Sequence, residues 1–176
     1  MIESVTYRAP RSDEAEILAA LGRDSFREAF GHLYRPEDLA LFEAQTYGPE
    51  IVAAEMASPQ RRYRVAQDGD RMIGYCKIGF DKSLDYDAGD RKIVELKQLY
   101  IMASHHGTGV AQALTDWAVE EANAVGANAL LLSVYSDNPR GQRFYHKNGF
   151  THVGDTYFIV GTHRDDEYLY LKSLTP

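Results

Sequence analysis

A turn with two glycines, between an apolar strand and an amphipathic helix, has the residue types of a phosphate-binding site. Gly107 and Gly109 follow the run that ends at Met102, and apolar residues recur at helical spacing from Val110 to Val125. The first amide groups of a helix lack partners within the helix and lie at the positive end of its dipole, so a glycine backbone there can approach a phosphate closely. The turn alone leaves phosphate binding and an ordinary helix entry equally open.

Two familiar phosphate motifs do not match this turn. No Gly-Lys-Ser/Thr sequence follows it, which excludes the loop that binds nucleoside triphosphates. Gln112 stands where a dinucleotide-binding fingerprint requires its third glycine, and a side chain of that size would prevent close packing of the helix on the strand. His105 and His106 could add positive charge beside a phosphate, or could be solvated turn residues.

A second segment, from Asn138 to Phe150, has the signals of a short helix with defined ends. Asn138 is a good N-cap, and Pro139 suits the first helical position because its missing N–H group is not needed there. Gly149 suits the left-handed conformation that ends many helices. These signals predict a helix over residues 138–148 that carries Tyr145.

The two segments together, in this order and with a strand between them, resemble the GNAT superfamily of acetyl-CoA-dependent N-acetyltransferases. The family signature Gln/Arg-x-x-Gly-x-Gly/Ala falls on residues 104–109, with Ser104 in place of Gln or Arg. The second family segment, Asn-x-x-Ala-x-x-x-Tyr-x-x-x-Gly-Phe, falls on residues 138–150, with Gly141 in place of Ala. The resemblance covers residues 61–174 and fits the N-terminal third more loosely.

The resemblance implies where coenzyme A binds. Backbone amides from His106 to Ala111 would hold the pyrophosphate, and the backbone of Leu99 and Ile101 would pair with the pantetheine arm like an added strand. The residues implied in cofactor binding are Leu99, Tyr100, Ile101, His106, Gly107, Thr108, Gly109, Val110, Ala111, Asn138 and Tyr145.

Direct acetyl transfer from a thioester to an amine needs a proton acceptor for the amine and a proton donor for the leaving thiolate, but no protein nucleophile. The resemblance implies that Tyr145 is the general acid, and its alternative role is that of a buried aromatic. It implies that Glu95 is the base, and an ion pair between Glu95 and Lys97 is equally open. Simple alternation along this strand would place Glu95 and Lys97 on one face together with Leu99 and Ile101.

The acceptor is expected beside Glu95 and three N-terminal aromatic residues, Phe26, Phe30 and Tyr34. The N-terminal region resembles the bacterial polyamine acetyltransferase branch of the family, and an acidic chain suits a cationic acceptor. We therefore expect a small-molecule amine, such as a polyamine, as substrate. Three alternatives stay open: acetylation of a protein amino group, a non-catalytic acyl-CoA-binding regulatory module, and a generic nucleotide-binding domain.

The order of predicted elements indicates an α/β (α+β) fold that is not doubly wound. The order is strand, helices, three strands, helix, strand, helix and two strands, and Asp68-Gly69-Asp70 predicts a tight hairpin within it. With the resemblance, we expect the GNAT fold: a mixed, mostly antiparallel central sheet of about seven strands flanked by helices. Strands are predicted over residues 2–9, 61–67, 71–80, 91–102, 129–136, 150–160 and 167–174, and helices begin near Asp13, Pro36, Glu50, Gly107 and Asn138.

Composition limits the other classes of function. The chain has 176 residues, 44% of them hydrophobic and 26% charged, which predicts one globular domain over residues 1–176. The net charge of −7 argues against a nucleic-acid partner. No apolar run approaches the roughly 20 residues of a membrane span, so we expect a cytoplasmic protein with no membrane partner.

The cysteine and histidine residues predict no metal site. The single cysteine, Cys76, precludes an internal disulfide and lies in an alternating strand that favours burial. His32, His152 and His163 lack the spacing of metal ligands. Oligomeric state is open, although the final strands could pair across a homodimer.

Overall fold

The computed structural model describes residues 4–174. The strands and α-helices are β1 (Thr6–Arg8), α1 (Ala15–Phe30), α2 (Pro36–Tyr47), α3 (Pro49–Ala57), β2 (Arg61–Asp68), β3 (Arg71–Gly79), β4 (Ile93–Ile101), α4 (Val110–Ala124), β5 (Ala129–Tyr135), α5 (Pro139–Lys147), β6 (Thr151–Val160) and β7 (His163–Ser173). This is the order predicted from the sequence. Residues 2–3 of the predicted first strand lie outside the described part of the chain.

The seven strands form one sheet in the order β1-β2-β3-β4-β5-β7-β6. Neighbouring strands are antiparallel except β4 and β5, which are parallel and are joined through α4. The expectation of a mixed, mostly antiparallel sheet of about seven strands flanked by helices is confirmed. In the described residues no helix is both long and apolar enough to cross a bilayer.

The two faces of the sheet are covered by different helices. On one face, here called the α4 face, Val110, Leu114 and Ala118 of α4 pack on Leu130 and Leu132 of β5. On the other, the α1 face, α1 and α3 pack on β2 and β3 through Leu18, Leu21, Val52, Val65 and Tyr75. Because both faces are buried at the centre, β5 is a nearly continuous apolar run.

The parallel pair β4–β5 separates partway along its length. The strands pair only at Ile93↔Ala129, Val94↔Leu130 and Glu95↔Leu131. Beyond Glu95, the β5-facing edge of β4 has no strand partner among the described residues, although β4 continues to Ile101. The result is a gap in the sheet, open between the second half of β4 and the end of β5.

A β-bulge in β4 overturns the simple alternation expected along this strand. In the pairing with β3, Leu96 lies opposite Ile78 and Gln98 lies opposite Lys77, so Lys97 is the extra residue. The bulge reverses the faces of the residues that follow Lys97. Leu99 therefore packs in the core on the α4 face, the same face as Leu96. Residues 95, 98 and 100 are consequently on the α1 face, and Glu95 does not share a face with Leu99 or Ile101.

The predicted helix boundaries differ from the observed ones at two helix starts. α4 begins at Val110, three residues later than predicted, because Gly107 and Gly109 have φ of 76° and 90°. The first helix, predicted to begin near Asp13, begins at Ala15, and Glu14 before it accepts a 2.7 Å hydrogen bond from the Arg11 amide.

Candidate active site

The turn before α4 forms a cradle of unpaired amide groups. The His106 amide, predicted to belong to this cradle, instead donates to Ala103 O at 3.2 Å. No amide from Gly107 to Gln112 donates a hydrogen bond to a described protein acceptor, and the first helical bond is Ala113 N to Gly109 O, at 3.0 Å. A Cβ atom built on Gly107 or Gly109 would meet nothing within 4 Å. The glycines are therefore needed for their backbone conformation and for free approach from outside, which is what binding of an anion requires.

A histidine and an arginine border this cradle. His106 donates through Nε2 to the Ile101 carbonyl at 3.0 Å, and its Nδ1 accepts from Arg140 Nη1 at 2.9 Å. A neutral imidazole makes both bonds, so the positive charge beside the cradle comes from Arg140. Sequence reasoning missed Arg140, since only the packing of α5 beside the turn brings residues 106 and 140 together. His105 pairs instead with Asp68, at 3.0 Å.

The free edge of β4 points backbone groups into the gap. The Met102 amide donates to Ile73 O at 2.9 Å, on the β3 side. Because backbone groups of alternate residues point to the same strand edge, those of Leu99 and Ile101 point to the opposite edge, toward β5. An extended polar chain lying in the gap can pair with them, and its phosphate end would reach the cradle at the end of the strand.

Helix α5 brings Tyr145 to the α4 face of the gap. The Asn138 side chain caps the helix by accepting from Gly141 N at 3.0 Å. A Cβ on Gly141 would lie 2.7 Å from the Asn138 side chain. The Tyr145 ring packs on Phe150, at 5.5 Å between centroids, and its hydroxyl has no hydrogen-bond partner among the described residues.

The surroundings of the Tyr145 hydroxyl suit a proton donor. Burial raises its pKa, with smaller contributions from the nearby Cys76 and Tyr100. The phenol is therefore protonated at neutral pH. Cys76 itself is fully buried in the core, and burial raises the pKa of its thiol, so it is a small core residue and not a nucleophile.

Glu95 is buried on the α1 face, at the point where β4 and β5 separate. Its carboxylate accepts from the Ser83 amide at 2.6 Å, from the Leu84 amide at 2.9 Å and from the Ser83 hydroxyl. Lys97 Nζ lies 3.6 Å from it. These contacts anchor the loop between β3 and β4 to the sheet, and they occupy both oxygens of the carboxylate.

The three aromatic residues expected at the acceptor site lie together above the α1 face. Phe26 is buried, with its ring 5.4 Å from Phe30 and stacked at 5.8 Å on Tyr34. Phe30 meets Tyr135 of β5 edge-on at 6.1 Å, so the cluster stands beside the gap. The end of α1 and the following turn thus form one wall of a site on this face.

Two carboxylates complete this wall, and sequence reasoning missed both. Asp165 is buried and accepts a hydrogen bond from the Tyr34 hydroxyl, and His163 Nε2 lies 3.0 Å from it. Glu167 lies opposite Tyr135 in the β5–β7 pairing. Both lie in a C-terminal stretch rich in charged residues, which is typical of a solvated strand. The pairing of β7 with β5 brings Glu167 to the gap, and the contact with Tyr34 brings Asp165 to the same wall.

The described residues contain no group of three or more histidine, cysteine or acidic side chains placed to hold a metal ion. The polar groups around the gap divide instead into an anion-binding end, at the α4 turn, and an acidic, aromatic end below α1.

The chain matches a known protein family over most of its length. Residues 21–150 match the model of the Acetyltransferase (GNAT) family. The chain belongs to the GNAT acetyltransferase family. As a GNAT protein it is an acyltransferase, and the resemblance drawn from the two sequence segments is confirmed.

Curated relatives of this GNAT chain share most of its length. An uncharacterized N-acetyltransferase of Mycobacterium tuberculosis is 32% identical over 161 residues, covering 92% of this chain and 98% of the relative. An uncharacterized N-acetyltransferase of Lactobacillus delbrueckii subsp. lactis is 26% identical over 155 residues, covering 88% and 89%.

Solved structures share the fold. The PaiA N-acetyltransferase of Thermoplasma acidophilum, in complex with coenzyme A, superposes with a TM-score of 0.79 at 19% identity, covering 97% of this chain and 99% of the other. Arabidopsis thaliana NAA60, in complex with acetyl-CoA, superposes with a TM-score of 0.75 at 18% identity, covering 97% and 99%.

Proposed function

We propose that this GNAT enzyme transfers the acetyl group of acetyl-CoA directly to the amine of a small cationic molecule. The observation that carries the proposal is the gap in the sheet, which has an anion cradle at one end and a pair of carboxylates on one face. A donor with a pyrophosphate and an acceptor with a positive charge are thereby drawn to opposite ends of one opening. The coenzyme A complex of PaiA and the acetyl-CoA complex of NAA60 support the choice of donor.

The donor is held by backbone groups for most of its length. The free amides from Gly107 to Gln112 bind the pyrophosphate, with Arg140 adding positive charge. The pantetheine arm pairs with Leu99 and Ile101 along the free edge of β4. Such a contact extends the sheet and places the thioester near the point where β4 and β5 separate.

Tyr145 serves as the general acid for the leaving thiolate. Its hydroxyl is protonated, has no described protein partner, and borders the gap near Cys76 and Tyr100. Glu95, on the α1 face, has its carboxylate bonded to the Ser83 and Leu84 amides. The family resemblance implies a base at this position, and such a base would act through water because both carboxylate oxygens are bonded to the protein.

The acceptor binds on the α1 face against Phe26, Phe30 and Tyr34. Asp165 and Glu167 favour a cation there, and the aromatic rings give an ammonium group further favourable contacts. A diamine or polyamine satisfies this chemistry better than a neutral amine, and a protein amino group is the other acceptor class to be compared.

Ligand-dependent thermal unfolding tests the donor site. A ligand at about 100 times its dissociation constant stabilises the folded state by about 2.7 kcal/mol. We expect coenzyme A and acetyl-CoA to raise Tm by several degrees, and ATP and NAD to have no comparable effect at the same concentration. Equal Tm shifts with coenzyme A, acetyl-CoA, ATP and NAD would favour a generic nucleotide-binding domain. No Tm shift with coenzyme A or acetyl-CoA would contradict the proposal.

Release of free coenzyme A tests the acceptor. We expect 1,4-diaminobutane to have a kcat/KM at least about tenfold above that of n-butylamine, with the advantage falling as salt screens the carboxylates. A peptide with a free N-terminal amine supplies the protein-acceptor comparison. Faster acetylation of the peptide than of any small amine would contradict the small-amine proposal.

A further inference from the structure

Glu167 lies where a group acting on the acceptor amine should lie. It is on β7 opposite Tyr135, beyond the last β4–β5 pair, and Leu169 and Leu171 of the same alternate set pack on the face away from α4. Tyr135, its cross-strand neighbour on β5, meets Phe30 of the aromatic cluster edge-on at 6.1 Å. The carboxylate therefore faces the opening from the α1 face.

The bonding of Glu167 differs from that of Glu95. Glu95 accepts hydrogen bonds from two backbone amides and a hydroxyl, and it anchors a loop. Glu167 accepts no hydrogen bond from a backbone amide among the described residues; the Ser133 hydroxyl, diagonally across from it on β5 and just beyond the last β4–β5 pair, is the one hydrogen-bonding group that lowers its carboxyl pKa. A carboxylate with free lone pairs at an opening can accept a proton from a ligand, whereas one with both oxygens bonded to the protein backbone is already occupied.

The groups that face Glu167 come from every neighbouring element. Tyr34 follows α1, Tyr100 is on β4, Ser133 and Tyr135 are on β5, and Asp165 is on its own strand. Burial and the charge of Asp165 raise the pKa of the Glu167 carboxyl above its usual range. A base of raised pKa removes a proton from an ammonium group more effectively than an ordinary carboxylate.

We propose that Glu167 accepts the proton of the acceptor amine from the α1 face of the gap, while Tyr145 protonates the leaving sulfur from the α4 face. The assignment rests on the proposed function. The bound ammonium gives one proton to Glu167, which releases it to solvent, and the nitrogen lone pair forms the N–C bond. The C–S bond breaks, sulfur takes a proton from Tyr145, and the second proton lost by nitrogen restores the tyrosine.

In this assignment Glu95 is a positioning residue. It anchors the Ser83–Leu84 segment at the closed end of the gap, where β4 and β5 begin to separate. Loss of this anchor would loosen the opening without removing the group that takes the proton.

The pH dependence of kcat/KM for Glu167→Gln tests the proposal, with acetyl-CoA and 1,4-diaminobutane as substrates. We expect a loss of about 100-fold or more near pH 7 that shrinks as pH rises toward the amine's own pKa, because the variant depends on amine that is already free. The acidic limb that the carboxyl sets in the wild-type profile should be absent. Asp166→Asn is the matched control, because Asp166 is the exposed neighbour on the same strand. Glu95→Gln should lower Tm and keep the acidic limb.

The outcomes separate the two proposals. If acetyl-CoA does not shift the Tm of the wild-type protein and no amine releases coenzyme A, the proposed function is overturned. The assignment of Glu167 then fails with it. If the wild type is active and the kcat/KM of Glu167→Gln stays within about threefold of the wild-type value at every pH, the assignment of Glu167 is overturned while the proposed function stands. If Glu95→Gln loses the acidic limb of the pH profile and Glu167→Gln keeps it, Glu95 is the group that accepts the amine's proton. That result would also overturn the assignment of Glu167.

Discussion

At the scale of single residues, Tyr145 combines an aromatic ring that packs in the core with a hydroxyl that does not pair there. The ring contacts Phe144 and Phe150, so removal of the oxygen alone leaves the packing in place. The structural and the chemical roles of this residue can therefore be separated by one substitution.

We expect Tyr145→Phe to lower kcat by about 10²- to 10⁴-fold, the usual contribution of a positioned proton donor. Its Tm and the acetyl-CoA-induced shift should stay close to wild type, because the hydroxyl makes no described hydrogen bond. Steady-state rates and thermal unfolding measure the two effects. A variant with unchanged kcat would show that the leaving thiolate needs no acid from this residue.

The Glu14 side chain joins β1 to the start of α1. Its buried carboxylate takes two bonds from Arg8, at 2.7 and 2.8 Å, and one from the Arg11 amide. These bonds lower its pKa from 4.5 to about 2. The folded-state pKa is depressed, so the stabilisation is present above the unfolded value and is lost as pH falls from about 4.5 to about 2.

Glu14→Gln should therefore reduce the free energy of unfolding at pH 7 by about 2–3 kcal/mol and flatten its dependence on pH between those values. Glu16→Gln, an exposed position in the first turn of α1, is the control and should change little. Urea unfolding at a series of pH values gives both numbers. If the free energy of unfolding depends on pH equally in Glu14→Gln and in the wild type, the Glu14 carboxylate is not the source of the acid sensitivity.

At the scale of elements, the local sequence predicted the parts of the site that are local in structure. The glycine turn, the capped helix α5 and Tyr145 depend on neighbours within one strand-turn-helix unit, so residue type and spacing suffice. Asp165, Glu167 and Arg140 depend on pairings between distant elements, which no single stretch of sequence reveals. The bulge at Lys97 was missed for a similar reason, since it appears only when β4 is set against β3.

The cradle makes an element-scale prediction that has a matched control. Gly109 and Gly89 both have positive φ, of 90° and 60°, and neither has a neighbour within 4 Å of an added Cβ. Alanine at either position carries a similar backbone strain of about 1 kcal/mol. Only at Gly109 would the methyl group enter the cradle.

We expect Gly109→Ala to raise the dissociation constant of acetyl-CoA by about tenfold or more, and Gly89→Ala to leave it unchanged. Isothermal titration measures both constants. If the two variants bind equally, the amides before α4 do not hold the pyrophosphate.

At the scale of the whole molecule, we propose that residues 1–176 act as one domain whose sheet opens once to admit both substrates. The acidic excess of seven charges agrees with a cationic acceptor. Two of the acidic residues, Asp165 and Glu167, lie together where the acceptor is proposed to bind. The charge of the whole chain did not predict that pair.

We propose the far edge of the sheet as the interface of a homodimer, a state that the sequence leaves open. β6 is the last strand, and its edge carries Phe158 and Ile159 with 37% and 48% of their surfaces exposed. A second copy pairing antiparallel along β6 would cover both, because the same strand meets itself across a twofold axis. We expect a dimer by sedimentation equilibrium and a monomer for Ile159→Lys. A monomeric wild type at micromolar concentration would contradict this interface.

We propose that acetyl transfer across the gap between β4 and β5 is direct. The most direct test is mass spectrometry of a reaction with acetyl-CoA and 1,4-diaminobutane, quantifying free coenzyme A, acetylated amine and acetylated protein together. We predict one N-acetylated amine for each coenzyme A released, with no acetyl group on the protein. Acetyl transfer through a protein side chain, or no amine product above the enzyme-free control, would contradict direct transfer to the amine.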